Sequence, residues 1–106
     1  MSAGATCPEE LELLLEDACL LSDMSLLSTL FDDDAVLLTR ATSQVRGRSA
    51  IAEVIINHVR GAGSYVAAPE VVMQSGRLAL IISHTTTSVA RRGPDGWHYV
   101  ITRLDL

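Results

Sequence analysis

The chain has no lysine; all eight of its basic residues are arginines. Schiff-base chemistry and a lysine nucleophile are therefore excluded. Aromatic residues are scarce, at 4% of the chain, so a core must come from Leu, Val, Ile and Ala within a 48% hydrophobic content. There are only two cysteines, Cys7 and Cys19, which is too few for a metal framework. A disulfide between them is not indicated; Cys19 reads as a small buried residue and Cys7 as the start of a helix. No apolar run approaches the roughly 20 residues that a membrane helix needs. Met1-Ser2-Ala3-Gly4 has neither the basic nor the apolar region of a signal peptide, so the expected location is cytoplasmic.

The charge that is present is unevenly placed. Nine of the thirteen acids lie in residues 1–34, and every arginine lies from Arg40 onward, for a net charge of −5. The negative sign and the lack of a basic stripe exclude a nucleic-acid binder. The polarity suits the docking of two copies. A length of 106 residues sets a single domain, residues 1–106, with enough chain for a core.

The pattern begins with a short tail, residues 1–5. Thr6 to Glu9 reads as a capping box with Pro8 in the first turn. Leu11, Leu14, Leu15, Ala18 and Leu21 then form a helical stripe over residues 8–22. Asp23 caps a short second helix that carries Leu26, Leu27, Leu30 and Phe31 inward and stops at Asp32-Asp33-Asp34. A strand follows from Ala35 to Thr39, with Gln44 to Arg46 as its hairpin partner. Gly47 launches a third helix over residues 48–60, whose positions Ile51, Val54, Ile55, His58 and Val59 follow helical spacing. Gly61 and Gly63 end it. Ser64 to Gln74 is extended, and Pro69 implies an edge position or a bulge. Ser75-Gly76-Arg77 is a turn, Leu78 to Arg91 one long strand, Gly93-Pro94-Asp95-Gly96 a second turn, and Trp97 to Leu106 the last strand. Segregated helices and strands argue for an α+β fold.

Four phrases within this order carry a family likeness: Leu30-Phe31-x-Asp33-Asp34-Ala35-Val36, Val45-Arg46-Gly47-Arg48-x-Ala50-Ile51, Gly76-x-Leu78-Ala79-Leu80 and Asp95-Gly96-Trp97-x-x-Val100. In these the chain resembles the nuclear transport factor 2-like superfamily, the SnoaL-like or ketosteroid-isomerase-like group. The resemblance implies a cystatin-like conical barrel, a curved antiparallel sheet wrapped around a long helix with N-terminal helices. It also implies an apolar pocket inside the cone and a homodimer formed through the sheet. The fold serves isomerases, dehydratases, epoxide hydrolases, cyclases and proteins without catalysis, so it does not assign a function. Aligned through Phe31, the oxyanion-hole tyrosine of the isomerases falls on Leu15 and their general-base aspartate on Thr39. Residues 77–94 contain no acid to stand for their third site residue. A proton-shuttling isomerase needs such groups, which argues against that activity.

The remaining candidates are few. His84 falls mid-strand, with the parity of Leu78, Leu80, Ile82 and Thr86. It is the candidate acid or base, or a ligand contact; the bland alternative is a histidine bonded to a neighbouring hydroxyl or facing an interface. His58, on the third helix, reads as a partly buried residue suited to the helix C-terminus. His98 alternates against Trp97 and Tyr99 and points outward. Tyr99, with the parity of Ile101 and Arg103, would orient a ligand with its hydroxyl. Arg103 and Asp105 share a face, as in the Arg-x-Asp pair of this superfamily's epoxide hydrolases, but a surface ion pair is the simpler reading. Trp97 is expected in the core or an interface, and Tyr65 completes the tyrosines. Three consecutive aspartates lack the alternating spacing of a calcium loop, so no metal site is expected, and no cofactor is implied. The expected pocket is lined by Thr39, His84, Tyr99 and Arg103. Three functions follow as expectations: a binder of a small hydrophobic molecule, a SnoaL-like enzyme acting on a hydrophobic cyclic substrate, and a non-catalytic dimerisation module.

Overall fold

The computed structural model describes residues 4–40, 44–62 and 68–104. The element order is α1 (Pro8–Leu21), α2 (Met24–Thr29), β1 (Phe31–Thr39), β2 (Val45–Arg46), α3 (Arg48–Ala62), β3 (Pro69–Ser75), β4 (Leu78–Ser83), β5 (Thr86–Gly93) and β6 (Gly96–Leu104). The strands form one six-stranded sheet in the order β2-β1-β6-β5-β4-β3. All neighbouring strands are antiparallel except β1 and β6, which run parallel. The sheet is mixed, then, where an antiparallel one was expected. It curves without closing, and α1 and α3 pack on its inner face. The core joins Leu11, Leu15 and Ala18 of α1, Ile51, Ala52, Ile55 and Ile56 of α3, and Ala79, Ile81, Ala90, Trp97 and Tyr99 of the sheet.

Helix ends follow local chemistry. The Asp23 carboxylate accepts from the Leu26 amide at 3.0 Å and starts α2. At α1 the N-cap is Cys7, which makes no side-chain cap bond. Glu10, rather than Glu9, reaches back to the Thr6 amide at 2.6 Å. The residues before it are not all tail: Ala5 is buried and accepts from the Trp97 amide at 3.0 Å. Gly96 makes that approach possible, because its φ is +123° and a Cβ there would sit 2.8 Å from the Ala5 carbonyl. On α1, Leu21 is exposed and Glu12 takes a core position instead. In α3 the helix runs on through Gly61 to Ala62.

Two strand boundaries differ from the sequence reading. Phe31 opens β1 rather than closing α2, so the three aspartates lie in a strand and not in a turn. Its register with β6 shifts between Phe31 and Val36, which absorbs the acidic run as a bulge. The single long strand expected over 78–91 is two strands, β4 and β5, joined at His84 and Thr85. Fourteen extended residues would span roughly 46 Å at ~3.3 Å each. The longest dimension of the molecule is 35 Å. Parity marks the break: Ala79, Ile81 and Ser83 face the core before it, and Thr86, Ser88 and Ala90 after it.

Candidate functional site

The inner face of the sheet carries a line of polar side chains within the apolar core. Glu12 is 1% exposed and enters from α1. It accepts from Ser83 Oγ at 3.1 Å, at the end of β4, and from the hydroxyl of Tyr99 on β6. An unpartnered carboxylate at that depth would be strongly destabilising, so the two hydroxyl donors are what make the position tolerable. Ser88 and Thr102, opposite each other on β5 and β6, share a hydroxyl bond of 3.1 Å. Thr86 is 2% exposed, and its Oγ1 has no hydrogen-bond partner among the described residues.

A second β-bulge sets this arrangement. Val89 pairs with Ile101 but Ala90 pairs with Tyr99, which leaves Val100 as the extra residue. The bulge breaks the parity that linked Tyr99 to Ile101 and Arg103. Tyr99 turns inward and is fully buried, while Ile101 and Arg103 are exposed on the outer face. The ring of Tyr99 packs on Phe31 with centroids 5.2 Å apart and planes tilted by 36°. Beside this group, Leu15 and Cys19 of α1, Ile55 and Val59 of α3, and Thr86, Thr102 and Leu104 enclose a cavity of about 20 Å³. Burial pushes the Cys19 thiol from 9.0 up to about 11, which leaves it an inert neutral group.

The aspartate run serves a different place. A cleft of about 310 Å³ lies among Asp32, Asp33, Asp34, Arg48, Arg91, Asp95 and His98. Asp33 pairs with Arg48 of α3 at 2.8 Å, and Asp32 pairs with Arg91 of β5. His98 faces it, away from Trp97 and Tyr99, with Nε2 3.8 Å from Asp95. Among the described residues, no group of His, Cys, Asp or Glu is arranged to hold a metal ion. The cleft is an ion-paired seam that ties the start of α3 and the end of β5 to β1.

The four residues expected to line one pocket are not brought together. Tyr99 is at the centre of the core. Thr39 is half-buried at the end of β1, level with Leu104 on the inner face. His84 is exposed in the β4–β5 bend, and Arg103 is exposed on the outer face. As an acid or base inside the cone, His84 is therefore corrected: the hairpin puts it in solvent. His58 is half-buried, with a buried Nε2 that has no partner among the described residues. Asp105 and Tyr65 lie outside the described residues. Glu12, the best-buried acid, escaped the sequence reading. Its signal was position: a glutamate one turn before Leu15, beside Leu11, on the face that must be apolar.

No known family profile matches this chain, and no curated protein matches it in sequence. Solved structures do match. A candidate calcium/calmodulin-dependent protein kinase type II association domain from Thiobacillus denitrificans superposes with a TM-score of 0.75 at 17% identity, covering 97% of this chain and 96% of that one. An NTF2-like protein with a cystatin-like fold from Novosphingobium aromaticivorans gives 0.73 at 22% identity, covering 90% and 76%. A candidate ketosteroid isomerase from Parabacteroides distasonis gives 0.61 at 18% identity, covering 92% and 86%. These likenesses establish the nuclear transport factor 2-like, cystatin-like fold that the four phrases implied.

Proposed function

We propose that this chain is a non-catalytic association module, two copies of which pair through the outer face of the sheet. One observation carries the reading. Met73, Leu80, Val89, Ile101 and Val36 are register partners in turn, and form one apolar row across five strands. The row crosses four strand spacings of ~4.8 Å, roughly 19 Å in all. Val71, Met73, Leu78 and Ile101 on this face are 41–56% exposed. Thr87 and Arg103 flank this row on the same face, but no polar residue interrupts the row itself, which is unlike a sheet face meant only for water. The occupant that fits is a second copy, because a two-fold axis sets such a row against itself and needs no separate complementary surface. The similar structure described as an association domain supports the same reading.

Sedimentation of the purified protein at micromolar concentration tests this. The expected result is a dimer that Met73→Asp combined with Ile101→Asp converts to a folded monomer. A wild-type monomer, or a dimer indifferent to both charges, would overturn the reading.

A second reading has an observation of its own. Glu12 and Tyr99 put a carboxylate and a phenol inside an apolar cone, as a site for a small hydrophobic ligand would. Against it, the cavity beside them holds about 20 Å³, whereas ligand sites run to roughly 300 Å³ or more. Catalysis by His84 has no support from its exposed position in the bend. Native mass spectrometry separates the readings, since a co-purified compound released on unfolding would favour the ligand site.

A further inference from the structure

The geometry points to the solvent face of α1 as a docking surface for a basic amphipathic helix of another protein. α1 packs on the inner side of the sheet, so this face lies away from the outer sheet face and does not depend on how copies pair. Leu13 is 57% exposed there and Leu20 69%. At roughly 3.6 residues per turn, positions seven apart lie almost in line, which sets the two leucines one above the other about 10 Å apart. Surface leucines scattered singly mean little. Helix propensity does not call for them either, since Glu, Gln or Lys serves as well. These two form a line, and Leu21 and Met24 stand exposed just beyond it, at the corner with α2.

The charges share the same repeat. Glu9 and Glu16 run along one side of the leucine line, Glu10 and Asp17 along the other, each pair again seven apart. Glu9 and Asp17 are exposed, and Glu10 and Glu16 half-buried. Glu10 spends one oxygen on Thr6. Glu12, the fifth acid of the helix, turns into the core and takes no part. α1 carries no basic residue, and every arginine of the chain lies from Arg40 onward. An apolar line between two acidic rows is half of a helix–helix seam, in which the flanking charges choose the partner. A second α1 does not fit, because it would set four carboxylates against four. An anionic membrane surface is repelled on the same ground. The occupant that fits is a helix with an apolar stripe and Lys or Arg along both its sides. Its stripe covers Leu13 and Leu20 while its cations meet the acidic rows.

Fluorescence anisotropy with two labelled peptides tests this against the whole protein. One peptide is built of leucine and lysine with every leucine on one helical face; the other has the same composition with its leucines spread around the helix. The wild type should bind the first at least about tenfold more tightly than the second, and Leu13→Gln combined with Leu20→Gln should abolish that preference. Glu9→Gln combined with Asp17→Asn should weaken binding at about 0.1 M salt and matter little near 1 M, where charges are screened. All four positions are exposed and the replacements suit a surface helix, so the variants keep the fold, which circular dichroism checks. Equal binding of the two peptides by the wild type overturns the surface, as does a leucine variant that binds like the wild type. A leucine variant that sediments as a smaller assembly than the wild type also overturns it, since the occupant would then be a second copy.

Discussion

The same strands build both faces of the sheet, yet the two faces are unlike in a way that inverts the common pattern. The inner face is sealed by Ala79, Ile81, Ala90, Trp97 and Tyr99, and it also holds the polar atoms of Glu12, Ser83, Ser88 and Thr102. Those atoms are paired side chain to side chain. The outer face presents Val71, Met73, Leu78 and Ile101 with no covering element among the described residues. Polar groups inside are affordable only when satisfied, so the inner face is specified by geometry. Apolar groups outside need only be covered, so the outer face is specified by area. One face therefore tolerates little change while folding, and the other tolerates much until a partner arrives.

The inner face breaks most severely at Tyr99, the largest fully buried side chain. Tyr99→Ala removes the ring that packs on Phe31 and a donor to Glu12, and should cost about 3–5 kcal/mol in urea unfolding. Tyr99→Phe keeps the ring and isolates the hydroxyl, at about 1–3 kcal/mol. A loss below that range for the alanine variant would mean the centre of the cone is loosely packed, and the contrast between faces would fail.

A smaller effect comes from Cys19, on the helix that covers the inner face. Its thiol ionises at 9.0 when unfolded and at about 11 in the fold, because burial penalises the thiolate. Folded Cys19 thus keeps its proton after the unfolded chain has lost it. The sign follows: its contribution is intact below pH 9 and declines as pH rises toward about 11. The slope is at most ~1.4 kcal/mol per pH unit. Cys19→Ala should abolish that part of the alkaline decline, seen by comparing unfolding curves of the two proteins. Equal slopes would show that the thiol is not desolvated in the fold.

How much of the contrast could be read from sequence depends on whether a feature is local. The helix starts at Asp23 and Gly47 and the turns at Gly76 and Gly96 were legible because cap and turn chemistry act over a few residues. The family phrases sit on these features, so the fold was legible too. The irregularity at Pro69 was legible as well, because the proline marks it. The bulges at the start of β1 and at Val100 were not, since a bulge belongs to a pair of strands and these two leave no mark on one strand alone. Missing the bulge at Val100 put Tyr99 on the face of Ile101. The hairpin at His84 hid for another reason: Ser83, Thr85 and Thr86 are as good in a strand as in a tight bend, with no Gly or Pro to punctuate them. That one omission placed His84 inside the cone. Glu12 was visible as an exception to the apolar stripe, but its meaning depends on Ser83 and Tyr99, 71 and 87 residues away.

The gentlest test works on the outer face, where the effect should depend on protein concentration. Ile101 is 44% exposed and sits in the apolar row between Val89 and Val36. In an isolated copy, Ile101→Thr removes little buried area and keeps a strand-favouring branched side chain, so stability should shift by no more than about 0.5 kcal/mol. If the row pairs with a second copy, the same change weakens the dimer, and the wild type gains stability with concentration while the variant gains less. Melting curves at dilute and concentrated protein distinguish these cases without requiring that the dimer be isolated. Parallel behaviour of the two proteins across that range would mean the outer face is exposed apolar surface and nothing more. The face specified by area would then have no area to bury, and the association reading would go with it.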